Sequence, residues 1–166
     1  MQKADFWIER LQLQAHPEGG YYRETYRSPE TLDFSGPGPF SGPRCPATVI
    51  YYLLKAGQRS RLHRIRSDEH WFFHDGSALT VYMFPENGDP SAFTLGLSCE
   101  NGHTLQGTVP AGCWFGASIE NPGQESYALV SCVVAPGFEF SDLTFAPKKE
   151  LLGKFPEHGT IIEMLT

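Results

Sequence analysis

One stretch of the sequence, residues 57–76, places a histidine and a glutamate six positions apart between two glycines: GQRSRLHRIRSDEHWFFHDG. A carboxylate beside an imidazole fixes the ring's tautomer and raises its basicity, so His63 and Glu69 could act as a general base and the group that orients it. Both are also common ligands of transition metals, which need roughly three or four converging donors. The alternatives are therefore a metal centre, an acid/base pair and a pocket that only binds.

The run EHWFFH within this stretch decides which of its side chains share a face. Its aromatic composition is typical of a β-strand, and successive side chains of a strand point to opposite sides. We therefore expect Glu69, Trp71 and Phe73 on an interior face. By the same alternation His70 and His74 lie on the exterior or at a dimer interface.

The other histidines, at positions 16, 103 and 158, lie in turn-like settings and are interpreted as solvated. His16 also belongs to the block HPEGGYY, in which two glycines after a proline permit positive φ and a close approach of the backbone. Glu18 and Tyr22 could thereby be turned toward a pocket mouth or a partner subunit. Alternatively, the glycines only form a turn between a helix and a strand.

Four arginines surround His63, at positions 59, 61, 64 and 66. Such a basic patch suits a carboxylate or phosphate on a ligand, and Arg61 is the expected contact. The alternative is that these arginines pair with Asp68, Glu69 and the acidic loops.

The elements that position these residues are predicted to be mainly β. Gly and Pro number 17 and 13, and aromatic residues reach 13%, which favours short strands joined by turns. Residues 3–14 indicate a short N-terminal helix, and the tail from about residue 147 indicates a short helix followed by a last helix or an edge strand. Residues 31–46 are rich in Pro, Gly and Ser and are predicted to form a flexible loop without regular structure.

Size and charge narrow the class of protein. A chain of 166 residues is expected to form a single domain, 1–166, with a sizeable core. The net charge of −6 argues against nucleic acid as a partner, and no run is apolar enough to span a membrane. The N-terminal residues MQKADFWIERLQLQ carry acids where a signal peptide would have an apolar stretch, so we predict a cytoplasmic location. The four cysteines lack C-x-x-C spacing and are expected to be reduced thiols.

Two segments of the chain resemble the sequence motifs of the cupin superfamily. Residues 57–76 are similar to the first motif, G-x5-H-x-H-x3/4-E-x6-G, with Ile65 in place of the second histidine. Residues 110–121 are similar to the second, P-x-G-x2-H-x3-N, with Phe115 at the histidine and Ile119 at the asparagine position. Thr104 stands at the glycine that leads the second motif.

Five blocks resemble the fifth cupin domain family more closely: HPEGGYYRETYRS, IYYLL, HRIRSDEHW, VPAGCWFG and VAPGFEFSDL. The resemblance implies a cupin jelly-roll β-barrel with short terminal helices and a tendency to form homodimers. Members are largely without an assigned activity. The two ligand positions lost to Ile65 and Phe115 imply no cofactor, apart from weak metal binding through His63 and Glu69.

Alternation through both motifs gives an interior that combines an ionisable pair with apolar walls: His63, Glu69, Trp71, Phe73, Cys113 and Phe115. The first hypothesis is therefore a barrel that binds a small anionic or sugar-like molecule, with Glu18, Tyr22 and Arg61 as further contacts. The alternative is a metal-independent epimerase or isomerase, with His63 as base, Glu69 as its orienter and Tyr22, Tyr51 or Tyr52 as acid. A solidly packed barrel would instead indicate a structural role.

Overall fold

A computed structural model describes residues 3–34, 38–120 and 122–166 of the chain. In chain order the strands are β1 Gln14–Ala15, β2 Tyr21–Arg27, β3 Leu32–Phe34, β4 Gly42–Arg44, β5 Thr48–Lys55, β6 Arg59–Arg64, β7 Asp68–Gly76, β8 Leu79–Phe84, β9 Ser91–Leu95, β10 Gln106–Val109, β11 Trp114–Ile119, β12 Tyr127–Ala135 and β13 Thr144–Phe145. The helices are α1 Lys3–Arg10, α2 Lys148–Lys154 and α3 Gly159–Leu165, with short 3-10 turns at Cys99–Asn101, Phe140–Asp142 and Pro156–His158. The prediction of a mainly β protein is confirmed. No helix within the described ranges is long and apolar enough to cross a membrane.

Two antiparallel sheets form a jelly-roll-like sandwich. One has six strands in the order β1-β2-β5-β12-β7-β10, and the other has five in the order β13-β6-β11-β8-β9. The main core cluster draws side chains from both sheets and includes Tyr52, Trp71, Val81, Phe115 and Val130. Both motif segments therefore contribute to one interior.

Strand β7 alternates as its sequence predicts. Glu69, Trp71 and Phe73 are buried, whereas the outward His70 and His74 bond to hydroxyls of neighbouring strands. The prediction of which side chains face the interior is confirmed for this strand.

The terminal segments cover the sandwich. Helix α1 ends before Gln12, whose positive φ of 53° turns the chain into β1. At the other end the segment TIIEML forms helix α3 rather than an edge strand. Its Ile162 and Leu165 pack with Leu62 and Trp114 in a second apolar cluster.

The Pro- and Gly-rich segment 31–46 contains regular structure, so that part of the prediction was wrong. Strands β3 and β4 pair with each other within this segment. The buried ion pair of Arg44 with Asp142 ties the segment to the 3-10 turn Phe140–Asp142. A cation and a carboxylate can therefore order a segment whose composition is typical of a loop. Residues 35–37 of this segment lie outside the described residues, as does position 121 at the end of the second motif, and the flexibility of the segment stays a prediction.

The two glycines that bound the first motif make a matched pair for a stability test. Gly57 and Gly76 both have positive φ, of 77° and 101°. A Cβ at Gly76 would lie 2.1 Å from the Tyr127 carbonyl oxygen, whereas a Cβ at Gly57 would meet nothing within 4 Å. We expect Gly57→Ala to lower the free energy of unfolding by about 1 kcal/mol, the cost of the left-handed backbone alone. Gly76→Ala should cost roughly 3 kcal/mol or more, because the steric clash is added.

Denaturant unfolding of both variants measures the two costs. Equal losses for Gly57→Ala and Gly76→Ala would contradict the close packing of β7 against Tyr127.

Candidate functional site

A cavity of ≈ 310 Å³ opens into the sandwich between the six-stranded sheet and β6. Its walls come from the HPEGG block, from strands of both sheets and from the segment before the second 3-10 turn. The lining residues are Gln14, His16, Glu18, Tyr22, Arg23, Glu24, Arg27, Thr48, Ile50, Tyr52, His63, Ile65, Glu69, Trp71, Cys132, Val134, Phe138, Glu139 and Phe140. The barrel is therefore not packed solid around the predicted ionisable residues.

Five of the predicted site residues line this cavity: Glu18, Tyr22, His63, Glu69 and Trp71. The HPEGG block thus contributes to the pocket as well as forming the turn into β2. The structure brings these five residues together, although they come from separate segments of the chain.

Four other predicted contacts lie elsewhere, which corrects the expected pocket wall. Phe115 is fully buried behind His63, with ring centroids 4.1 Å apart, and Phe73 and Cys113 belong to the packed core. Arg61 points away from the cavity, because its guanidinium covers the ring of Phe145 and donates to the carbonyl of Pro17. Phe115 packs against the buried side of His63, and Arg61 holds the HPEGG block through the carbonyl of Pro17.

His63 is fixed by a hydrogen bond at each ring nitrogen. Its Nδ1 lies 2.6 Å from the carbonyl oxygen of Arg61, and a carbonyl only accepts, so Nδ1 carries a proton. Its Nε2 lies 3.0 Å from Oε2 of Glu18. A hydrogen bond with one proton between the two atoms therefore joins Nε2 to the Glu18 carboxyl group.

Glu18, and not Glu69, is the acid that orients His63, which corrects the predicted pairing. Its side chain is buried, and the hydroxyl of Ser60 donates to its Oε1 over 2.8 Å. Gly19 approaches β6 so closely that a Cβ at this position would lie 2.1 Å from the Arg59 carbonyl oxygen. This close approach brings the neighbouring Glu18 next to His63.

His16 is part of the site, so its interpretation as a solvated residue was wrong. Its side chain is 6% exposed, and its Nδ1 accepts the backbone N–H of Glu18 and lies 3.5 Å from Oε2 of that residue. Burial lowers the pKa of His16, an effect that Glu18 opposes and His63 reinforces. A neutral His16 with Nδ1 as acceptor keeps its proton on Nε2. The only signal in the sequence was its place in the HPEGG block.

Glu69 lines the cavity as an acid that holds its proton. Burial, with a contribution from the nearby Glu18 charge, raises the pKa of Glu69 from an ordinary value of 4.5 to about 8. The thiol of Cys132 hydrogen-bonds to it, and burial raises the pKa of Cys132 well above its usual value. Near neutral pH this corner of the pocket holds a carboxylic acid and a thiol, and both can donate a hydrogen bond.

Trp71 has an unsatisfied donor. It is 1% exposed, and no acceptor within the described parts of the chain lies within hydrogen-bonding distance of its buried Nε1. A buried N–H without an acceptor costs about 1–3 kcal/mol. Because Trp71 lines the cavity, a ligand oxygen or a water molecule in the cavity is the natural acceptor.

The three tyrosines considered as candidate acids differ in position. Tyr22 lines the cavity and contacts the His16 ring edge-on at 4.5 Å. Tyr52 also lines it, but its hydroxyl donates to the carbonyl of Gly19 over 2.8 Å, and burial raises its pKa well above the ordinary value. Tyr51 packs against His74 on the opposite face of the sheet. Tyr22 is therefore the tyrosine best placed to meet a ligand.

The donor set does not fit the metal centre that the cupin fold implies. Ile65 and Phe115, at two of the ligand positions, are buried hydrocarbon side chains without a lone pair. The ring nitrogens of His63 are engaged by Arg61 and Glu18. We therefore derive no chemical step through a metal, and the absence of a cofactor stays a prediction.

Comparison with known proteins agrees with the fold. The family model described as cupin superfamily (DUF985) matches residues 5–146. An uncharacterized protein of Saccharomyces cerevisiae is 36% identical over 147 residues, which is 83% of this chain and 72% of the yeast protein.

Solved structures extend this similarity. Protein SO0799 from Shewanella oneidensis superposes with a TM-score of 0.87 at 38% identity, covering 100% of this chain and 98% of that one. A hypothetical protein from Leishmania major gives a TM-score of 0.87 at 36% identity, with 98% of both chains covered. A variant of oxalate decarboxylase from Bacillus subtilis shares only the fold, with a TM-score of 0.54 at 18% identity over 92% of this chain and 37% of that one. The chain belongs to the cupin superfamily, in the family DUF985, the fifth cupin domain family.

Proposed function

We propose that the cavity binds a small, oxygen-rich molecule of the sugar or sugar-acid type, without a metal. The observation that carries this proposal is a cavity of ≈ 310 Å³ lined by Trp71, whose buried indole N–H has no acceptor among the described residues. That volume is at the lower end of the range for small-molecule sites, about 300–1,000 Å³. A molecule of roughly monosaccharide size is therefore the expected ligand.

Three polar groups of the pocket lining can donate to a ligand: the Trp71 indole N–H, the neutral His16 imidazole and the Glu69 carboxylic acid. The lining carboxylates of Glu18, Glu24 and Glu139 are acceptors that are already bound by His63 or Arg27. Donors select carbonyl, carboxylate or hydroxyl oxygens on the ligand. The rings of Tyr22 and Phe140 add apolar surface, which suits the C–H face of a sugar ring.

The charge at the pocket mouth favours a ligand with little net charge. Arg27 is held by Glu24 and Glu139, so its charge is already compensated by two carboxylates. Arg61 lies outside the cavity, as described above. A neutral sugar or a monoanionic sugar acid therefore fits better than a polyanion.

The role of the Trp71 N–H can be tested by removing that group alone. Keto sugars, sugar acids and small hydroxy acids are titrated into the protein, and tryptophan fluorescence is recorded. We expect at least one of these compounds to bind and to change the fluorescence. Trp71→Phe should weaken its binding about tenfold, which is the loss of one hydrogen bond of ~1.4 kcal/mol.

Trp7→Phe is the matched control, because that indole N–H donates to Asp75 away from the cavity. Its affinity should equal that of the unmodified protein. Affinity that is insensitive to Trp71→Phe would remove the main support for the proposal.

The buried Glu69 predicts a pH-dependent stability. Because the pKa of this carboxyl is raised from 4.5 to about 8, the folded state holds the proton more tightly than the unfolded state. The contribution of this tightly held proton to the free energy of unfolding is fully present below pH 4.5 and is lost as the pH rises through 8. Glu69→Gln should therefore gain stability over the unmodified protein by roughly 3 kcal/mol between pH 5 and pH 8.

Urea unfolding of both proteins at each pH measures this difference. A constant difference across the range would mean that Glu69 is ionised in the folded protein at neutral pH.

A second candidate function is proton transfer, as in a metal-independent epimerase or isomerase. The observation that favours it is the pairing of a carboxylic acid with a pKa of about 8 and a histidine–glutamate pair that shares one proton in the same cavity. Glu69 would donate a proton to a ligand oxygen, and the His63–Glu18 pair would receive one from the neighbouring carbon. In this proposal Glu69 replaces the tyrosine as the acid.

Hydrogen exchange separates this enzyme from a binding protein. In deuterated solvent an isomerase should place deuterium beside the carbonyl of a bound keto sugar, with a rate that falls above pH 8 as Glu69 loses its proton. Mass spectrometry measures the exchange, and both His63→Ala and Glu69→Gln should abolish it. Tyr51→Phe, on the far side of the sheet, is the control. A bound sugar that shows no exchange would assign the protein to binding alone.

The predicted homodimer, the predicted cytoplasmic location and the prediction that nucleic acids and membranes are not partners stay predictions.

A further inference from the structure

We propose that a second cavity, separate from the first, binds the carboxylate or phosphate group of a small molecule. This cavity of ≈ 400 Å³ lies where β6 ends, beside the turn that precedes β11. Its lining residues are Pro39, Arg64, Ile65, Arg66, Glu86, Ala111, Gly112, Asp142 and Thr144. The proposal is independent of the function proposed for the first pocket.

Arg64 supplies a fixed and unused set of donors. Its guanidinium lies over the ring of Trp114, 4.3 Å from the ring centroid, and the residue is half-buried. Among the described residues the Arg64 guanidinium has no hydrogen-bond acceptor and no ion-pair partner, whereas that of Arg61, on the same strand, donates to a backbone carbonyl. A planar fork of N–H groups held against an aromatic ring is well arranged for a bidentate oxyanion.

The cavity is lined by two arginines, Arg64 and Arg66, and by the carboxylates of Asp142 and Glu86. Arg44 binds both oxygens of the buried Asp142, so Arg66, 3.6 Å from the same carboxylate, is only loosely compensated. An anion between Arg64 and Arg66 would pair with both guanidinium groups, and Glu86 limits the site to a small one.

The cavity also has room for a larger molecule attached to that anionic group. Gly112 has a φ of 75°, and nothing lies within 4 Å of the position that a Cβ would take. A volume of ≈ 400 Å³ exceeds that of a single phosphate or carboxylate. The buried Ile65 lines both cavities.

Titration with inorganic phosphate, and separately with acetate, tests the proposal. Both are added at constant ionic strength while the indole N–H signals of the three tryptophans are followed by NMR. The signal of Trp114, assigned by its loss in Trp114→Phe, should shift and saturate with at least one of the two anions. The signals of Trp7 and Trp71 should stay in place. A site for a phosphate group responds to phosphate, and a site for a carboxylate responds to acetate.

Arg64→Gln and Arg61→Gln provide the decisive comparison. Each removes one charge from β6 and one guanidinium that lies over an aromatic ring. Arg64→Gln should weaken anion binding at least tenfold, whereas Arg61→Gln should change it less than twofold. Circular dichroism checks that both variants are folded, and Arg64→Lys, which keeps the charge without the fork, should bind with intermediate affinity. No saturable shift of Trp114 with either anion, or equal losses in the two glutamine variants, would overturn the proposal.

Discussion

The contact between Glu18 and His63 is the interaction on which the pocket depends. A buried carboxylate is costly unless it is paired and hydrogen-bonded, and Glu18 meets this condition through His63 and Ser60. The same contact ties the HPEGG block to β6. It also places a negative charge near Glu69, which adds to the effect of burial on that carboxyl. The two acids of the pocket thereby take different forms, one sharing a proton with a histidine and the other protonated.

The first cupin motif keeps its first histidine and its glutamate here, but the donors that a metal site needs are not all present. The hydrocarbon side chains at positions 65 and 115 are buried, and Phe115 packs against the ring of His63. The histidine that remains is therefore held from both sides, by a ring and by an acid from the N-terminal block. His63, which would be a metal ligand in the full motif, instead shares a proton with Glu18.

The sequence predicted the face of β7 correctly because regular alternation is a local property, and Trp71 and Glu69 both follow it. The sequence carries no signal for the irregularity in β6, where the register against β11 shifts between Phe115 and Ala117. This irregularity lets Ser60 and His63 reach the same carboxylate, although their spacing would separate them in a regular strand. The contact from Glu18 is a long-range one that no local pattern encodes, and His16 was missed for the same reason.

Ile65 has a consequence for how the two cavities can change over evolutionary time. The residue lines both cavities, and its backbone carbonyl accepts the N–H of Gly112 in the second one. A substitution that moves this backbone segment would therefore change the walls of both cavities. The position of the missing histidine is thus common to two chambers, and selection on either chamber constrains the other.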